Sequence, residues 1–167
     1  MADPATPRRT DTNEPVRARH RALLILFQAD LRGVPAAAIV GELADDPDAV
    51  RLLDEHDDDC PPGPGTLDGF TTKLVEGVAA TVEDLDRVIE QFAREWTVDR
   101  MPVVDRCILR MATWELKHES TPPAVVIDEA IRAARALSTD DSPRWVNGVL
   151  ESIRSHLSPQ SPTPETG

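Results

Sequence analysis

Apolar residues recur along this chain at three- and four-residue steps, the spacing that lines one face of an α-helix. Between Val16 and Leu31, the positions Ala22, Leu23, Leu26, Phe27 and Leu31 form such a stripe, and Gly33 supplies the stop. A short second helix is predicted from Pro35 to Leu43, with proline at its first position. Residues 44 to 66 break the pattern: DDPDAV, DEHDDDC and PPGPG read as a long acidic loop with one helical turn around Ala49 to Leu53. From Leu67 the periodicity returns, with Phe70, Leu74, Val78 and Val82 at four-residue steps. Thr81 followed by Asp84 reads as the capping-box start of a further helix reaching about Trp96. Pro102 then opens VVDRCILRMATWEL, whose Val104, Cys107, Ile108, Met111 and Trp114 give the broad apolar face of a central helix. Pro122 and Pro123 open the next helix, through Leu137, and Asp141, Ser142 and Pro143 cap and start the last, through His156. No stretch of useful length alternates with period two, so the fold class is all-α.

Length and composition narrow this picture. A chain of 167 residues suits one domain with tails, and 40% apolar residues with 4% aromatics favour a core of Leu, Val, Ile and Ala. Residues 1 to 15 and 158 to 167 are too rich in Pro, Thr and charge to offset the entropy of ordering, and are expected to be disordered tails around a domain at 16 to 157. Cys60 and Cys107 stand far apart without metal-type spacing, which argues against a disulfide framework and against zinc. Apolar residues nowhere run for the roughly 20 positions of a membrane span, so a cytoplasmic protein is expected.

Charge locates the candidate chemistry. The net charge of −12 excludes a generic nucleic-acid glove, since phosphate binding is driven by clustered Lys and Arg. The distribution is uneven, however. Residues 1 to 21 hold five Arg against three acids, and residues 42 to 59 hold Arg51 against nine acids. Arg17, Arg19 and Arg21 stand at the first helix start, where cations oppose the macrodipole, so stability alone does not account for them. There they are positioned to reach phosphates or stack on unpaired bases. Trp145 beside Arg144 offers an aromatic face with an adjacent cation, although its spacing to Val149 and Ile153 makes it partly core. Asn147 and Gly148 are poor helix formers inside a helix, which fits either tight helix packing or direct involvement in a binding site. His20, His56, His118 and His156 lie at helix ends, in a loop or on a charged face, and read as solvated rather than catalytic. The acidic run lacks the glycine-centred turn of a calcium loop. No enzyme, metal or cofactor is expected.

Four segments then carry a resemblance. DSPRWVNGVLESI resembles the closing motif of the NusB family, VRARHRALLILFQADLRG its arginine-rich first helix, PVVDRCILRMATWEL its central helix, and PPAVVIDEAIRAARALSTDDS the helix leading to the last motif. The resemblance runs from about Val16 to Leu157 and implies a bundle of about seven helices in two small subdomains. It further implies a non-enzymatic RNA-binding factor in transcription antitermination. Such a factor binds boxA single-stranded RNA together with the ribosomal protein NusE, within an RNA polymerase antitermination complex. Carried over by position, Arg17, Arg19, Arg21, Asp141, Arg144 and Trp145 would face RNA, and Phe27 and Asp105 would lie near the NusE-facing surface. Two other readings keep the fold: an RNA-recruiting module like that attached to ribosomal RNA methyltransferases, and a self-associating homodimer with its RNA site masked.

Overall fold

The computed structural model describes residues 13–55 and 60–158, and every regular element among them is helical. In chain order the described α-helices are α1 (Glu14–Arg32), α2 (Ala36–Ala44), α3 (Pro47–Leu52), α4 (Gly69–Phe92), α5 (Val103–His118), α6 (Pro123–Leu137) and α7 (Ser142–Leu157). A 3-10 turn at Val98–Arg100 links α4 to α5. The expected disorder of residues 1–12 and 159–167 lies outside the described residues. α1 itself starts at Glu14, slightly ahead of the expected domain edge at Val16. No single described helix is long and apolar enough to cross a membrane.

Local chemistry explains most boundaries. Gly33 ends α1 in the left-handed region (φ 64°), and its N–H turns back to the carbonyls of Ala29 and Asp30. The turn expected inside the acidic loop is α3, capped by Asp46, whose carboxylate accepts from the N–H groups of Asp48 and Ala49 at 3.1 and 3.0 Å. Asp68 caps α4 through the Thr71 N–H at 2.8 Å. One boundary differs from expectation. Thr81 does not cap a new helix. It leaves helical geometry (φ −128°, ψ 18°) and its hydroxyl donates to the Gly77 carbonyl at 2.8 Å, so α4 continues through a bend. Trp114 of α5 packs against this bend. A Cβ at Gly77 would fall 2.1 Å from the Trp114 ring, so glycine is what lets α4 and α5 meet here.

α5 is the centre of the molecule, packing against α1, α4, α6 and α7. α1 packs on α2 and α4, and α6 on α7, so that all of them share one core built around α5. Ile108 and Leu109 on α5, Leu23 and Ile25 on α1, Leu74 and Leu85 on α4, and Leu150 and Ile153 on α7 are fully buried. Each such side chain contributes about 1.5–3 kcal/mol by leaving water. A polar clasp ties three helices at the edge of this core: Asp30 of α1 accepts from Arg106 and Arg110 of α5, and Arg110 reaches on to Asp86 of α4 at 2.7 Å. The Arg106 hydrogen bond, against the opposing effect of burial, holds the Asp30 carboxyl below its usual range. Cys60 and Cys107 are both unbridged and buried, and burial pushes the Cys107 thiol up to about 12.

Candidate nucleic-acid interface

The arginines that open α1 are buried, contrary to the expectation of an exposed basic start. Arg21 is 1% exposed. Its Nε and Nη2 donate to the two carboxylate oxygens of Asp54, each at 2.7 Å, and the remaining donors reach the carbonyls of Pro64 at 2.9 Å and Thr66 at 3.1 Å. Arg19 makes a two-point pair with Glu115 of α5 and lies 5.3 Å from the Phe70 ring centre. Arg17 donates twice to the Pro61 carbonyl, at 3.2 and 3.1 Å. The segment 60–66 thus acts as a strap across the start of α1. A Cβ on Gly63 would fall 2.6 Å from the Arg17 side chain, so the strap follows the guanidinium closely. Burial raises the Asp54 carboxyl, but the Arg21 hydrogen bond and the Gly63 N–H at 2.8 Å outweigh it, leaving the group below its ordinary value. Arg17, Arg19 and Arg21 are therefore committed to the fold in this conformation.

The start of α7 is arranged differently. Asp141 stands at the N-cap position, exposed, but its side chain makes no capping bond, so the expected cap is absent. Ser142 donates instead to Asp105 of α5 at 2.8 Å, and the hydroxyls of Ser138 and Thr139 lie 2.9 and 2.8 Å from the Ser142 oxygen. With the one Ser142 proton given to Asp105, the other two hydroxyls must be the donors. Asp105 is 2% exposed, which corrects its expected place on a partner-facing surface: it fixes the α6–α7 turn from within. Its second oxygen makes no hydrogen bond among the described residues. Asp105 also lines a cleft of about 280 Å³ whose other walls include Trp96, Pro102, Asp141 and Trp145.

Around this cleft the aromatic and cationic groups are open. Trp145 is half-buried and meets Trp96 edge to face, with ring centres 6.4 Å apart, and Trp96 is 48% exposed. Arg144 is exposed beside them. Asp141, Arg144 and Trp145 are thus brought together, apart from the α1 arginines, and Phe27 sits half-buried on α1. Trp96 and Arg94 were not among the residues read from sequence as site candidates. Their signal was an aromatic and a cation just past the end of α4, ahead of the proline that opens α5. Of the histidines, His118 and His156 are exposed, His20 is half-buried, and His56 lies outside the described residues.

This architecture has known counterparts. The family model described as "NusB family" matches residues 16–155. A transcription antitermination protein NusB from Saccharopolyspora erythraea is 42% identical over 139 residues, covering 82% of this chain and 84% of its own. The solved structure of T. maritima NusB superposes with a TM-score of 0.65 at 30% identity, over 86% of this chain and 93% of that one. The fold is shared as well with NusB in a crystal structure of the antitermination factors NusB and NusE in complex with dsRNA, with a TM-score of 0.68 at 24% identity over 87% and 98% of the two chains. The helix order, the central α5 and the closing motif on α7 therefore have one explanation: this chain belongs to the NusB family.

Proposed function

We propose that this chain is an RNA-binding transcription antitermination factor of the cytoplasm. With the ribosomal protein NusE it binds boxA RNA in nascent transcripts, including those of ribosomal RNA operons, and supports processive transcription by RNA polymerase. One observation carries the RNA-binding part of this reading. At the start of α7, Trp145 and Trp96, in edge contact, wall a cleft that a flat base can enter, and Arg144 stands exposed next to Trp145 in the chain. Stacking on an indole holds an unpaired base of any sequence, and an adjacent cation pairs with its phosphate. Asp141, Arg144 and Trp145 are the RNA-contacting residues of this reading, and Phe27 marks the partner-facing side of α1. An antitermination factor is favoured over a recruiting module because the NusB relative matched above is named for antitermination and is covered over 84% of its own length.

The test is a titration of labelled boxA RNA with this protein, with and without saturating NusE, at one fixed salt concentration. A chain of net charge −12 makes few phosphate contacts, so its affinity alone should be modest and salt-dependent. NusE should tighten RNA binding by about 1–3 kcal/mol, and RNA should tighten NusE binding by the same factor. Equal affinities in the two titrations would remove the adaptor mechanism.

A further inference from the structure

Two residues near the start of α7 are poorly suited to the positions they occupy. Gly148 lies inside α7, where glycine is the least favourable residue after proline. No neighbour requires it. A Cβ built there would meet nothing within 4 Å, in contrast to Gly77, where the Trp114 ring fills that space. Arg94 follows α4 with φ 54°, in the left-handed region that a residue with a Cβ enters at a cost. It is exposed, and like Arg144 it has no ion pair or side-chain hydrogen bond among the described residues.

Both residues line one open groove of about 550 Å³ between the end of α4 and the face of α7, together with Arg144, Trp145, Ser152 and Asp141. Two unpaired arginines face one carboxylate there, so the groove is locally cationic on a chain whose net charge is −12. Departures from the locally preferred residue that packing does not explain concentrate where a ligand approaches. An exposed glycine on a helix face removes the side chain that would hold another backbone away.

We infer that this groove carries the sugar-phosphate backbone of single-stranded RNA. Gly148 is its floor, and Arg94 and Arg144 pair with phosphates on either side of a base stacked at Trp145. The inference rests on the RNA-binding reading above and adds the path of the strand. The occupant is nucleic acid because the rim combines unpaired cations with an aromatic face.

The test uses changes whose effects on folding and on binding have opposite signs. Gly148→Ala should raise the melting temperature of the full chain and weaken its affinity for labelled single-stranded boxA RNA several-fold. Gly148→Leu, which fills more of the groove, should weaken it further. Arg94→Gly should relieve the backbone at φ 54° and also raise the melting temperature, while lowering the slope of log affinity against log salt by about 0.7, one phosphate contact. If the unaltered chain binds no RNA, the proposed function fails and this inference with it. If the unaltered chain binds RNA and Gly148→Leu and Arg94→Gly bind equally well, the strand takes another path and this inference alone is overturned. A fall in melting temperature for Gly148→Ala would also overturn it, by showing that the fold needs the glycine.

Discussion

The start of α1 and the start of α7 carry similar side chains and use them in opposite ways. Both place arginines near the first turn of a helix, and in sequence both read as RNA-facing. At α1 the guanidinium groups are drawn inward. Arg21 and Arg19 meet Asp54 and Glu115, which stand 33 and 96 residues further along the chain. At α7 the buried polar work is done by Ser142 and Asp105, which leaves Arg144 and Trp145 facing outward. The difference teaches that a cluster of cations is a binding surface only where the fold supplies no carboxylates of its own to meet it. An acidic chain has many to supply.

The largest effect that can break this comparison is on stability. Arg21→Ala leaves the Asp54 carboxylate buried without its partner and should cost about 3–5 kcal/mol in urea unfolding, far above the half kcal/mol typical of an exposed arginine. A loss below about 1 kcal/mol would mean that the strap does not hold Arg21 in solution. The pair Arg21→Met with Asp54→Leu removes both charges and should fold about as well as the original chain. Its RNA affinity then decides whether Arg21 ever leaves its pocket: a drop of tenfold or more would return α1 to the RNA surface.

Next comes binding at α7. Trp145→Leu keeps an apolar side chain against Val149 and Ile153 but removes the aromatic face, and should weaken RNA binding by about 1–3 kcal/mol with a smaller change in stability. Unchanged RNA affinity would leave α7 as ordinary core. The smallest effect is in the pH dependence. Asp54 lies below its ordinary value of 3.8 in the folded chain, so its contribution is present above that value and lost as pH falls through the lower one. Unfolding measurements from about pH 5 to pH 2 should therefore show a steep acid limb. Asp54→Asn should flatten part of it, and Arg144→Ala, on the other surface, should leave it unaltered.

The helices were legible because their signals are local. Gly33, the proline pairs and the three- and four-residue steps of Leu, Val and Ile lie within a turn or two of what they control. Thr81 shows where that logic fails: Thr81 and Asp84 have the composition of a cap, yet α4 continues through a bend at Thr81, with Trp114 from another helix packed against Gly77 one turn earlier. The site divides along the same line. Arg144 and Trp145 stood out as a cation beside an aromatic face, and the odd pair Asn147 and Gly148 because each is a poor helix former inside its own helix. The burial of Arg17, Arg19 and Arg21 and of Asp105 was not legible, because their partners are brought in by tertiary packing. Arg94 and Trp96 showed in the sequence only as a cation and an aromatic past the end of α4, and the left-handed backbone of Arg94 gave no signal there.

α5 holds one carboxylate for each of the two surfaces. Asp105 near its first turn anchors the start of α7, and Glu115 near its last anchors Arg19 at the start of α1. The two are separated by about ten residues, or about 15 Å of helix rise. α5 is thus a ruler with a phase as well as a length. Adding or removing a single residue between the two acids would shift one anchor by about 1.5 Å and rotate it by about 100° relative to the other. The spacing from Asp105 to Glu115 is the dimension to which both surfaces are registered.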